Sequence, residues 1–168
     1  MGVRIYRKRK APVTQLLRIF GLESNEEIKA AFEDIDTKYI SATLAKDEAK
    51  NAEDSYVEIY RRLRPGDLAT AENSRSLIDP MFKRFDRYDL SNVGRFKFNQ
   101  RLGTKGSSGL LEKEDLVSVV REIISLNKDE NSEPDDIDHL GNRRVRAVGE
   151  LVQLRLRIGF ARLRRGVQ

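Results

Sequence analysis

A mainly α fold is what the sequence predicts: an irregular multi-helix domain with short extended segments, incomplete at both ends. Three observations carry this reading. Apolar residues recur at helical spacing along most of the chain, and Gly and Pro fall between those runs. A hydrophobic content of 39% across 168 residues is also enough for one core.

In chain order, Val13, Leu16, Leu17 and Phe20 follow the i, i+3, i+4, i+7 rule, with Pro12 in a first-turn place and Gly21 as the stop. Ser24 and Glu27 have capping-box spacing and open a short helix carrying Ile28 and Phe32. Residues 37–45, with Tyr39, Ile40 and Thr43, are less regular and read as extended. Tyr56, Ile59, Tyr60 and Leu63 form the next stripe, ended by Pro65-Gly66. Helices follow over about 70–81 and 91–101, then a flexible glycine-rich turn at 103–109. Leu116, Val119, Val120 and Ile123 mark another helix, and 128–138 is an acidic loop. The last helix starts near Arg146, with Val148, Leu151, Val152, Leu156 and Leu163 facing the core. It stops close to a glycine without capping signals, so the ending reads as cut.

Composition removes several function classes. There is no Cys, hence no disulfide scaffold, thiolate zinc site or thiol catalysis. The single His139 leaves one candidate for any Ser-His-Asp chemistry. No apolar run approaches the roughly 20 residues of a membrane span, and no signal peptide is present, so the chain reads as soluble and cytoplasmic.

The net charge of +5 conceals its pattern. Residues 1–20 carry +6, 21–60 carry −7, 61–105 carry +6, 106–140 carry −7 and 141–168 carry +7. Two readings of these blocks stand: contact with phosphate, or pairing between neighbouring blocks of the folded surface.

Catalytic motifs fail on inspection. Residues 103–109 lack the order of a phosphate-cradling loop and read as a linker. Asp136, Asp138 and Gly141 suggest a calcium loop, but Leu140 and Ala147 stand where ligands belong. Asp135, Asp136 and Asp138 before an arginine run favour local pairing over Mg²⁺, and His139 reads as structural.

The basic clusters are better candidates. Arg7-Lys8-Arg9-Lys10 is a compact run, and Arg61, Arg62 and Arg64 precede the Pro65-Gly66 turn. Arg84, Arg87, Arg95, Lys97 and Arg101 surround Tyr88, Phe96 and Phe98. Such interleaving suits phosphate neutralisation with base stacking, although for the aromatics the favoured reading places Phe96 or Phe98 in the core. The stretch from Asp135 to Arg144 gathers short polar side chains, a glycine and two guanidiniums, suited either to base and phosphate contact or to a helix-entry ion-pair cluster.

Four segments resemble one family, in the same order. They are YRKRKAPVTQLLRIFG at 6–21, YVEIYRRLRPGD at 56–67, RYDLSNVGRFKFN at 87–99 and DDIDHLGNRRVRAVGE at 135–150. Together they resemble the bacterial DNA-directed RNA polymerase β subunit over nearly the whole chain. The resemblance implies a partial lobe domain at 1–130 and the start of the fork-region segment at 131–168, a fragment of a much longer subunit. It implies partners in the β′, α, ω and σ subunits and in DNA, with no membrane. It implies that Ile137, Asp138 and Arg143 help take an unpaired non-template base, and that Arg64 and Arg95 face DNA. The catalytic Mg²⁺ belongs to β′, so this piece is expected to hold no cofactor and to be non-catalytic by itself. Leu154, Arg155, Arg164 and Gly166 depart from the family's pattern in the last helix. The alternative is a helical protein-interaction module in a larger assembly, without direct DNA contact.

Overall fold

The structure, a computed structural model, describes residues 1–35 and 38–167. It is mainly α and irregular, with one small sheet among the described residues. Two compact units divide it, Met1–Glu130 and Asn131–Gln168.

The first unit opens with a hairpin, β1 (Gly2–Tyr6) against β2 (Arg9–Pro12). Val3 lies opposite Ala11 and Arg4 opposite Lys10, with an irregularity between Arg4 and Tyr6. Val3 and Ile5 are half-buried while Arg4 and Tyr6 are exposed, the period-two signature of a strand with one covered face. The basic run beside it masks this alternation in the sequence.

Helix α1 (Val13–Ile19) is short, yet all seven of its residues are buried. Its Val13 and Leu17 belong to a cluster with Leu22, Ile28, Phe32, Ile40, Val120 and Ile124. Its Ile19 belongs to a second, with Ala11, Tyr56, Ile59, Tyr60 and Ile78. Fully covered side chains such as Phe32 and Ile59 each contribute about 1.5–3 kcal/mol of burial energy.

The remaining face of α1 is polar and buried as well. Thr14 Oγ1 and Arg18 Nη1 donate to Asp47 Oδ2 at 2.5 and 2.6 Å, and Gln15 Nε2 donates to Asp47 Oδ1 at 2.8 Å. Burial alone would raise the Asp47 carboxyl pKa. The hydrogen bonds from Thr14, Gln15, Arg18 and the Ala49 N–H outweigh it and hold that carboxyl below its ordinary value. A second Arg18 nitrogen donates to Asn25 Oδ1 at 2.6 Å.

Local signals set the helices that follow. The Ser24 hydroxyl accepts the Glu27 N–H at 3.1 Å and Glu27 accepts back from the Ser24 N–H, capping α2 (Asn25–Phe32). Asn51 caps α4 (Ala52–Leu63) and Thr70 caps α5 (Ala71–Lys83), which passes through Pro80. Helix α6 (Ser91–Leu102) ends on the left-handed Gly103, and α7 (Lys113–Lys128) returns to the first cluster through Val120 and Ile124.

One expectation is corrected in this unit. The segment read as extended is α3 (Lys38–Leu44), with Thr37 outside the described residues. Ile40 and Thr43 fall on one helical face, Ile40 is buried in the first cluster, and the Thr43 hydroxyl bonds the Tyr39 carbonyl four residues back. Packing here outweighs the weak local preference.

The second unit is a stretch of turns and irregular chain followed by α8 (Val148–Val167). A core-facing stripe on this helix is also corrected. No described residue of α8 is buried, and Leu151, Val152, Leu156 and Leu163 are all exposed. Among the described residues of this unit, α8 has no second layer to cover them.

Candidate nucleic-acid interface

The turn at 136–144 is built by its own short side chains. Asp136 Oδ1 accepts the N–H groups of Asp138 and His139 at 3.0 and 3.2 Å, and the Asn142 amide donates to the Asp136 carbonyl at 2.8 Å. The His139 carbonyl accepts from the N–H groups of Asn142 and Arg143. His139 Nδ1 accepts the Gly141 N–H at 3.0 Å, which makes this histidine a turn-builder and requires the tautomer protonated on Nε2.

On that frame Ile137, Asp138 and Arg143 all stand out in solvent, Ile137 at 77% exposure. Arg143 and Asp138 approach to 3.9 Å, a loose exposed pair that leaves each free to meet another partner. The structure therefore brings these three residues into one small turn. Arg144 is engaged differently, paired with Glu150 at the start of α8.

In the first unit, Arg64 is the C-cap of α4, its N–H bonded to the Tyr60 carbonyl at 2.8 Å and its side chain exposed 3.9 Å from Asp67. A cation here complements the negative end of the helix dipole. Its neighbours are committed elsewhere: Arg61 pairs with Glu58 at 2.9 Å, and Arg62 donates to the Lys10 carbonyl.

Arg95 is placed quite otherwise. It is 5% exposed, and its two terminal nitrogens meet the two carboxylate oxygens of Asp115 at 2.8 and 2.9 Å. Its Nε donates to the Ser108 carbonyl and Nη2 to the Leu110 carbonyl, at 2.5 and 2.6 Å. The Asp115 hydrogen bonds hold its pKa above the ordinary arginine value, against the opposing effect of burial. Its ring neighbour is Phe98, with the guanidinium 5.3 Å from the centroid. These bonds direct the group into the protein. Within the same Arg87–Asn99 segment the solvent-facing arginine is Arg87, whose signal in the sequence was only its membership of the basic cluster.

The aromatics divide. Of the two phenylalanines of which one was expected in the core, Phe98 is half-buried, as is Tyr88, whereas Phe96 is 65% exposed. Helix α6 turns Arg95 and Phe98, three positions apart, inward and turns Phe96 away from both. The 103–109 stretch, expected as a flexible linker, makes specific bonds: Asn99 donates to the Gly106 carbonyl, and Thr104 to Asn99.

Among the described residues no group of three His, Cys, Asp or Glu is arranged to hold a metal ion. No helix among them is long and apolar enough to cross a membrane.

Comparison with known proteins adds an independent line. Residues 1–146 match the family model described as RNA polymerase Rpb2, domain 2. The DNA-directed RNA polymerase subunit beta of Dehalococcoides mccartyi strain BAV1 is 44% identical over 174 residues, covering 98% of this chain and 14% of that protein. The same subunit from strain CBDB1 matches with the same identity and coverage. The chain thus spans about one-seventh of the length of the curated relatives it matches.

Proposed function

Because the chain belongs to the RNA polymerase Rpb2, domain 2, family, we propose that it acts in DNA-templated transcription as a DNA-contacting, non-catalytic part of a polymerase β subunit. In this reading the first unit is part of the lobe and borders downstream duplex. The second leads into the fork and meets the non-template strand where the duplex opens. The enzyme's Mg²⁺ and nucleotidyl transfer are then supplied by β′, and α, ω and σ complete the cytoplasmic assembly.

The observation that carries the proposal is the 136–144 turn. It exposes an apolar side chain, a carboxylate and a guanidinium together, held by side-chain-to-backbone hydrogen bonds within the turn. A carboxylate accepts from a base amino or imino group, a guanidinium clamps phosphate or a guanine edge, and Ile137 offers an apolar surface to a base. Arg64 and Arg87 serve as phosphate contacts in the first unit. Arg95 supports the first unit from within, through its bonds to Asp115 and to the Ser108 and Leu110 carbonyls.

A second reading, contact with protein alone, draws support from the exposed apolar residues of α8, among them Leu154, Ile158 and Phe160. A salt titration separates the two. Binding of the 168-residue chain to a fluorescent bubble-containing duplex should weaken steeply as salt rises, through counterion release. Absence of binding at low salt by folded chain would remove direct DNA contact.

A further inference from the structure

The bonds of Arg95 lead beyond the Arg95–Asp115 pair itself. They grip the carbonyls of Ser108 and Leu110, which flank Gly109 on both sides. The Gly109 carbonyl accepts the Leu90 N–H at 2.8 Å. Leu90, the N-cap of α6, comes two residues after the turn in which the Arg84 carbonyl accepts from the N–H groups of Arg87 and Tyr88, at 3.0 and 2.9 Å. That turn presents Arg87 to solvent.

Two glycines make the approach feasible. A Cβ on Gly106 would lie 2.9 Å from a terminal nitrogen of Arg95, which its bonds to Asp115 keep from moving aside. A Cβ on Gly109 would lie 2.5 Å from Asp89 Oδ1 and 3.4 Å from the Phe85 ring. The same Asp89 oxygen accepts the Ser91 N–H at 2.8 Å, where Ser91 holds a positive φ of 58° at the start of α6. It too cannot swing away freely. On its other side the turn is steadied by Tyr88, which packs on Phe82 at 6.3 Å.

We infer that Arg95 is a positioning residue, which sets Gly109 against Leu90 and thereby fixes the turn that carries Arg87 to a nucleic-acid phosphate. This rests on the phosphate contact proposed for Arg87. Arg95 itself touches no ligand; its guanidinium acts through the loop backbone between the Ser108 and Leu110 carbonyls that it holds. Lysine cannot substitute, because a single ammonium cannot satisfy two carboxylate oxygens and two divergent carbonyls in one plane.

The test uses the 168-residue chain, the fluorescent bubble duplex and a double-mutant cycle. Gly109→Ala is the principal variant, because it perturbs the Gly109–Leu90 contact while leaving the buried Arg95–Asp115 pair intact. Arg87→Ala should reduce affinity by about three- to tenfold, and Gly109→Ala should cause most of that loss. The double variant should bind no more weakly than Arg87→Ala, whereas Gly109→Ala combined with Arg64→Ala should show both losses multiplied. Amide exchange at Leu90 should quicken in Gly109→Ala and in Arg95→Lys. A purely structural role would lower affinity equally in the Arg87→Ala and Arg64→Ala backgrounds, and that result overturns the inference. So does unchanged Leu90 exchange. A wild-type chain that fails to bind overturns the DNA-contact reading and this inference with it. Binding with independent Gly109 and Arg87 effects overturns the positioning role alone.

Discussion

Arg18 and Asp47 lie 29 positions apart and meet at 2.6 Å with neither side chain more than 1% exposed. Asp47→Ala would leave the Arg18 guanidinium buried without its carboxylate, and truncating one partner of a buried pair costs about 3–5 kcal/mol. Urea denaturation of the chain should register a loss of that size. Asp47→Asn, which keeps an acceptor for Thr14 or Arg18, should lose less.

The same carboxylate makes stability depend on pH in a definite direction. Its pKa is depressed in the folded chain, while the unfolded chain titrates near the ordinary value of about 3.9. Between those values the unfolded chain binds more protons, so this contribution rises with pH. It is fully present above about pH 5 and disappears as pH falls through the folded value. The difference in unfolding free energy between the wild-type chain and Asp47→Asn, measured by urea titration across pH 2.5–7 (roughly the range in which a carboxylate changes charge), should shrink towards the acid end. A constant difference would refute it.

Arg95→Ala should destabilise the chain by about 3–5 kcal/mol, because Asp115 would remain buried without its bidentate partner. The cost of Arg64→Ala should lie within about 0.5 kcal/mol, as expected for an exposed side chain with a partner 3.9 Å away. Thermal melting of the two variants side by side makes the contrast direct.

Substitutions in the 136–144 turn should separate affinity from selectivity. Arg143→Ala and Asp138→Ala are expected to reduce discrimination in favour of an unpaired base by about 1–3 kcal/mol each. Arg64→Ala should weaken binding to all duplexes alike and lower the salt slope by about one. Competition between bubble-containing and fully paired duplexes at several salt concentrations reads both quantities.

Leu156→Glu on α8 should leave the stability of the Met1–Glu130 unit unchanged within about 0.5 kcal/mol, since Leu156 is 55% exposed. Chemical denaturation followed through the tyrosines, all of which lie before residue 89, reports that unit selectively.

What the sequence made legible was local. The capping box at Ser24, the Tyr56–Ile59–Tyr60 stripe and the stop at Gly21 each depend on residues within one or two turns of one another. The resemblance in the 135–150 segment likewise marked Ile137, Asp138 and Arg143, which share one turn. Arg95 was not legible in this way. Its burial is decided by Asp115, 20 positions on, and by carbonyls of a loop whose glycine content suggested only slack. The polar face of α1 escaped for the same reason: Thr14, Gln15 and Arg18 look like a solvent-facing strip until Asp47 is folded over them. Helix α3 was settled by the cluster that receives Ile40, and the exposed stripe of α8 by the absence, among the described residues of its unit, of any layer to receive it.

Helix α1 also governs how the first unit comes apart. Seven residues are too few to hold a helix in water unaided. Its helicity is therefore borrowed from the two clusters, and each cluster is incomplete without it. Loosening either one withdraws support from α1 and so from the other. The unit Met1–Glu130 should accordingly unfold in a single cooperative step, with calorimetric and van't Hoff enthalpies in agreement.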